Sequence, residues 1–387
     1  MMGMFYKKLH YFLALLSLVI CVSCHQRDLS VARYTIDLSS AEVTPNCDLS
    51  QILKLDTIVH LATTEESMVG AVRKVFSLGT SYVIWDGKGK KVFVFDRYGG
   101  FKHQIGRTGR ASDEYLSLDD VWVDPEQELI YLLDSSSKRI LSFNKRGGFV
   151  GAININRWGT DLAVENQIVW LFGHGLNEEE FLLLKISESG ESPNHYFPIR
   201  RNEIPIKIGR TCFSRDADGA ILFASNYMNR VFRIEAGEIS EYVRILFGEK
   251  AVDDTDLKSS QYVKEMTAKE RVGELHDVYQ VGTNLFFSYY RVKGNELNPV
   301  YAWHNFETGE TLLWDYTARH LPGMNNLPVN GFRGLTSQGQ PIMVLDYSVL
   351  PQGYIERFLQ GNEHYGSYFS QCTEDSNPSL LIFSCTK

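Results

Sequence analysis

Tyr82–Phe101 reads YVIWDGKGKKVFVFDRYGGF, and Ile130–Phe149 reads IYLLDSSSKRILSFNKRGGF. The two stretches align without a gap at an offset of 48. Asp86 falls on Asp134, Lys90 on Lys138, Phe95 on Phe143, and Gly99-Gly100-Phe101 on Gly147-Gly148-Phe149. Self-similarity at a fixed period of this size marks a repeat architecture. Each copy reads as two strands and two turns. Val83-Ile84-Trp85 is apolar at successive positions, the pattern of a strand covered on both faces. Asp86-Gly87-Lys88-Gly89 is a turn, because glycine permits positive φ and aspartate bonds nearby backbone amides. Val92–Phe95 is the return strand, and Gly99-Gly100 turns the chain again.

Weaker copies follow at Ile168–Phe172 with Phe181–Ile186, at Ile221–Ile234, at Leu285–Tyr290 with Val300–Phe306, and at Pro341–Asp346. Six hairpins result, starting near 82, 130, 168, 221, 285 and 341. A lone hairpin is marginal in water, and an open sheet edge invites aggregation. Radially packed four-stranded blades solve both problems, so the pattern predicts an all-β, six-bladed β-propeller over residues 24–387. A pair of β-sandwiches is the competing architecture. Ring closure needs a strand from one terminus in the blade of the other. Ala32–Leu38, which alternates Ala32, Tyr34, Ile36 and Leu38 against polar residues, is the N-terminal candidate for closing the last blade. Leu380–Phe383 is the C-terminal one. Asp254–Gly273 and Gly353–Gln360 break the pattern and read as short helical insertions over one face of the ring.

Residues 1–23 read as an export signal. Lys7 and Lys8 precede an apolar run from Tyr11 to Val22, too short to span a bilayer, which takes about 20 residues. Ser23-Cys24 resembles the lipobox of bacterial lipoproteins, which makes Cys24 the lipidation candidate. The expected protein is exported and held to the cell envelope, through the outer membrane, by that lipid alone. Of the remaining cysteines, Cys47, Cys212, Cys372 and Cys385 could pair or stay as buried thiols, and Cys372 with Cys385 is the nearest couple in sequence.

The formal net charge is −8, and about −10 once Lys7 and Lys8 leave with the signal. An acidic surface without a Lys/Arg cluster argues against nucleic acid as a partner. Hydrophobic residues make up 44% of the chain and charged residues 22%, the proportions of a globular fold rather than a disordered one.

Val92–Tyr115, with VFVFDRYGGFKHQIG followed by GRASDEY, resembles the NHL-like six-bladed β-propeller lipoproteins of gut Gram-negative anaerobes. That family's strand, Gly-Phe turn, Ile-Gly and G-x-G-P-G-E-Y loop are matched, with Arg110-Ala111-Ser112-Asp113 standing where the glycine-proline core would be. Asn226–Glu249, ending in VRILFGE, and the tail Glu374–Lys387 fit as well. The resemblance implies the propeller fold and leaves the activity open, since propellers host binders, lyases and lactonases alike.

Candidate site residues are sparse. In the loop Gly106–Tyr115, Arg107 and Arg110 could grip a carboxylate or sulfate while Glu114 accepts sugar hydroxyls. The same loop reads more readily as an inter-blade turn whose Glu114 caps backbone amides. Trp158, between Arg157 and Gly159, is the best placed tryptophan for stacking on a sugar, whereas Trp85 and Trp122 sit in strand patterns. His276, beside Asp277, could join His304 and His320 at the channel only if the fold brought them together. Gly173-His174-Gly175 with Glu178-Glu179-Glu180 is the one arrangement that could hold a divalent cation; otherwise no cofactor is expected. No nucleophile elbow or phosphate loop is present.

Two functions fit. One is a non-enzymatic binding or scaffolding module that captures a glycan, a peptide or an envelope protein. The other is an extracytoplasmic hydrolase or lyase working at the channel mouth. A channel lined by three or more ionisable groups would favour the second, and an aromatic and amide lining the first.

Overall fold

The computed structural model describes residues 31–44, 47, 49–173, 181–187, 194–198, 211–225, 228–251, 271–293, 296–315, 320–321, 324–325, 331–350, 366–369 and 372–387. The chain is all-β, with six blades arranged as a propeller ring. Blade 1 comprises Val72–Leu78, Ser81–Asp86, Lys91–Asp96 and Phe101–Ile105. Blade 2 comprises Asp120–Asp124, Leu129–Asp134, Arg139–Asn144 and Phe149–Asn154. Blade 3 comprises Asp161–Glu165, Ile168–Phe172, Phe181–Ile186 and Asn194–Pro198. Blade 4 comprises Phe213–Arg215, Ile221–Ala224, Arg230–Glu235 and Glu238–Leu246. Blade 5 comprises Val272–Val281, Asn284–Lys293, Glu296–Asn305 and Thr311–Asp315. Blade 6 comprises Phe332–Leu335, Pro341–Leu345, Ser379–Cys385 and, from the other end of the chain, Leu53–His60.

The first strand of each blade touches the first strand of the next, and that of blade 6 returns to blade 1, so these six strands encircle the axis. All six hairpins expected from sequence supply the second strand of a blade. Second strands are buried along their length, as in Ser81–Asp86, while the outer strand Phe149–Asn154 alternates between exposed and half-buried residues. The apolar clusters lie between blades rather than within them. Val83 and Trp85 of blade 1 pack with Val121, Ile130 and Leu132 of blade 2, and Ile84 and Phe93 of blade 1 pack with Ile342 and Leu380 of blade 6. No blade has a core of its own, which is why the ring must close.

The offset-48 repeat has a common hydrogen-bonding cause. Asp86 accepts from the amides of Gly70 and Ala71 at 2.9 Å each, and from those of Lys88 and Gly89 at 3.0 Å each. Asp134 accepts likewise from Leu116, Ser117 and Ser137 at 3.0–3.1 Å. One carboxylate at the end of the second strand thus clamps its own turn and the linker entering its own blade. Gly99 and Gly147 occupy the same left-handed position, with φ of +88° and +83°, which a side chain would strain.

The closing strand differs from expectation. Tyr34–Asp37, within the proposed Ala32–Leu38, pairs in parallel with Val243–Leu246 and becomes a fifth strand of blade 4. The ring is closed instead by Leu53–His60, antiparallel to Ser379–Cys385, which is the anticipated C-terminal partner. A register shift between Leu55 and Thr57 breaks the two-residue alternation of Leu53–His60, so no clean strand pattern marks it in sequence. Alternation in Ala32–Leu38 is real, since Ile36 and Leu38 are buried, but alternation alone does not say which edge a strand will join.

Of the expected helical insertions, Gly353–Gln360 lies outside the described residues, as does Asp254–Gly273 apart from its last three residues, where Val272 already begins blade 5. One turn of α-helix is described, Gly366–Phe369, besides three short 3-10 turns. The leader, Cys24 and the His174–Glu180 loop also lie outside the described residues. Cys372 and Cys385 are free thiols, and Cys47 and Cys212 are buried.

Candidate functional site

The first strands of five blades border one cavity of about 210 Å³ at the ring axis. Its walls are mainly apolar, with Val75, Phe76, Val123, Phe213 and Leu335 contributing. Four charged side chains also line it: Lys74 from blade 1, Arg215 and Asp216 from blade 4, and Arg333 from blade 6.

Each of the four has a distinct environment. Lys74 is spent on an ion pair, its Nζ 2.6 Å from Asp120 Oδ1 with both side chains buried. Asp216 accepts from the amides of Asp218 and Ala220 at 3.0 and 2.9 Å and lies 3.5 Å from Arg233 Nη2. Burial pushes the Asp216 carboxyl above the usual carboxylate range, against the pull of Arg233 and the Ala220 amide. Arg215 lies over the Trp122 ring, 5.3 Å from its centroid, and donates to the Gly219 carbonyl. Burial lowers its pKa, opposed by the fields of Asp124, Glu165, Glu126 and Asp216. Arg333 is 5% exposed and donates from Nη1 to the carbonyl of its neighbour Phe332 at 2.9 Å.

A second, polar cavity of about 170 Å³ adjoins the axis between blades 2, 3 and 4, and Arg215 borders both. Its wall carries five carboxylates: Asp124, Glu126, Glu165, Asp218 and Glu235. Two of them have structural work. Asp124 accepts from the amides of Glu126 and Gln127, and Glu165 from those of Ala236 and Gly237.

Topology places the sequence-predicted residues elsewhere. Gly79, Pro125, Gly219 and Ser337, in the turns after first strands, border the axial cavity. The chain leaves a four-stranded antiparallel blade at the end where its first strand began, so the linker Gly106–Tyr115 lies on the opposite face. There Arg107 Nε is 2.7 Å from Glu114 Oε1, and Glu114 Oε2 accepts from the Ala111 amide at 2.8 Å. Those bonds hold the Glu114 carboxyl below its usual range. Arg110 is exposed in the same loop. Trp158, 42% exposed, sits in the linker from blade 2 to blade 3, while Trp85 and Trp122 are core.

The histidines do not converge. His276, on the first strand of blade 5, is buried and stacks on Tyr290 with ring centroids 4.8 Å apart. His304, on the third strand, bonds Thr311 Oγ1 at 2.8 Å. His320 lies in a separate two-stranded ribbon, His320–Leu321 with Met324–Asn325. Among the described residues no group of three or more His, Cys, Asp and Glu side chains could hold a metal ion.

The axial residues were not singled out from sequence. The available signal was a lone basic residue inside a short apolar first strand, as in Phe332-Arg333-Gly334-Leu335 and Phe213-Ser214-Arg215.

Fold and axial cavity together define a six-bladed β-propeller. The chain belongs to the family described as Domain of unknown function (DUF4934), which matches residues 33–384. It is similar to a Bacteroides fragilis protein classed provisionally as exported, at TM-score 0.76 and 15% identity, over 91% of this chain and 99% of that one. It is also similar to a DUF4221 family member from Bacteroides vulgatus, at TM-score 0.55 and 9% identity, over 89% of this chain and 100% of that one. At such identities the likeness is one of fold. No curated protein matches the chain. Among the described residues no helix is long and apolar enough to cross a membrane.

Proposed function

We propose that this protein is an exported propeller, lipid-anchored through Cys24 and related to the NHL-like envelope lipoproteins, that binds a ligand without transforming it. The axial cavity carries this reading. Its lysine is paired with Asp120, and its single carboxylate is held by amides and Arg233. A cavity with apolar walls and a few fixed polar groups is the usual form of a binding site. The B. fragilis neighbour, classed provisionally as exported, supports the location. The ligand would be a glycan, a peptide or a part of one, with Arg107, Arg110, Glu114 and Trp158 forming a separate candidate surface on the other face.

Calorimetry of the purified mature protein against glycan, peptide and organic-acid panels tests the reading. Saturable binding with full recovery of unmodified ligand is expected. Consumption of a ligand with release of product would overturn it.

The alternative, an extracytoplasmic hydrolase or lyase, rests on the count of four charged groups at the axis and on Asp216, whose raised pKa would suit a general base. In that case Asp216→Asn would abolish turnover while leaving ligand affinity within a fewfold of wild type.

A further inference from the structure

Arg333 is the one axial cation whose charge the described residues leave unmatched. Lys74 has Asp120 at 2.6 Å, and Arg215 lies in the field of Asp124, Glu126, Glu165 and Asp216. Arg333 has the Phe332 carbonyl at 2.9 Å on Nη1, and its buried Nε has no hydrogen-bond partner among the described residues. The carboxylate that shares the cavity, Asp216, is engaged with Arg233 and two amides. A guanidinium that is 95% buried therefore borders a largely apolar cavity with no anion paired to it among the described residues. Holding a charge in such a place is costly unless a counter-charge joins it.

We propose that Arg333 is the anchor for a ligand carboxylate, and that the axial cavity takes a compact organic acid bearing one such group on an apolar body. This rests on the binding reading above and specifies its ligand. The planar guanidinium suits a carboxylate, which two parallel N–H donors can grip at once. The apolar walls formed by Val75, Phe76, Phe213 and Leu335 suit the body. The five carboxylates of the adjoining cavity decide against heavily charged ligands, because they repel polyanions such as sulfated glycans from the same face.

The test is calorimetric titration of the mature protein with acetate, butanoate and phenylacetate, each against its neutral amide. At least one acid should bind, tenfold or more tighter than its amide, and more weakly as salt rises. Arg333→Gln should abolish acid binding, and Arg333→Lys should retain part of it. Thermal melts control for folding: Arg333→Gln should melt at or above the wild-type temperature without ligand, yet lose the ligand-induced rise. Equal binding of acid and amide, undiminished acid binding by Arg333→Gln, or no binding of any of the three acids would overturn the assignment. Capture of a neutral glycan or peptide by both wild type and Arg333→Gln would do so too, while leaving the binding function standing. Turnover of any probe would instead remove the binding reading itself.

Discussion

Lys74 of blade 1 and Asp120 of blade 2 form an ion pair at the axis, 2.6 Å between Nζ and Oδ1, with side-chain exposures of 4% and 0%. Asp120 reaches further, accepting the Leu162 amide of blade 3 at 2.8 Å through Oδ2. One carboxylate so ties three successive blades. Asp161, at the same place in blade 3, accepts from the Cys212 amide before blade 4 at 3.2 Å.

Removing the acid should cost far more than the pair itself contributes. Asp120→Ala leaves a buried ammonium without its counter-charge, a change worth about 3–5 kcal/mol. Adding Lys74→Met to that variant should restore part of the loss, because the stranded charge is gone. Urea unfolding of both variants checks this. Equal stability of the single and double variants would contradict the assignment.

Blade 6 meets blade 1 across a glycine. A Cβ on Gly334 would lie 1.8 Å from the Val75 carbonyl oxygen, a backbone atom that cannot swing aside. Gly334→Ala must push the two first strands apart, at a cost of roughly 1–3 kcal/mol or more by the usual scale of overpacking. Gly151→Ala is the control, since its Cβ would meet nothing nearer than Ser142 Oγ at 3.8 Å. It should stay within about 0.5 kcal/mol of wild type. Thermal melts of the two variants give the comparison.

Stability should fall on the acid side of neutrality. Burial depresses the pKa values of His60, His103 and His304 below the ordinary value of 6.5. The unfolded chain then takes up protons more readily than the folded one, so acid favours unfolding. The contribution of these neutral histidines is full above about pH 6.5 and declines as pH drops through the window below it. Denaturant midpoints between pH 7.5 and 5.5 should decrease, and His60→Gln should flatten the slope. A midpoint that rises over this range would refute the argument.

Much of the ring was legible because its repeat has a local cause. Asp86 and Asp134 bond amides two and three residues on, and amides 15 to 18 residues back, so the constraint stays within one repeat and recurs with it. The closing strand was hidden by a bulge at Leu55–Thr57, and its partner lies at the far end of the chain. The axial cavity was hidden for a different reason. It gathers one or a few residues from each of five strands, from Lys74 to Leu335, and none is unusual in its own neighbourhood. Gly106–Tyr115, by contrast, drew notice through composition, and its Arg107–Glu114 pair is satisfied within the loop.

The seam of blade 6 yields the last prediction. Ser379, fully buried at the start of the third strand, lies 2.6 Å from His60 Nδ1 and 2.6 Å from the Tyr347 hydroxyl. His60 ends the strand that closes the ring, so this serine links the two ends of the chain through side chains as well as backbone. Burial pushes the Tyr347 hydroxyl far above its usual pKa, so it stays a neutral hydroxyl at any ordinary pH. With Ser379→Ala, Tyr347 and His60 keep their longer mutual contact of 3.3 Å and the Cys372 thiol, 3.5 Å from His60 Nδ1. One buried and one half-buried polar group then become under-bonded, at a cost of about 1–3 kcal/mol. The loss should concentrate at the seam. Hydrogen exchange should quicken for the amides of Leu53–His60 while those of Leu129–Asp134 in blade 2 stay protected. Uniform acceleration in both strands would show that the ring opens as a whole rather than at its closure.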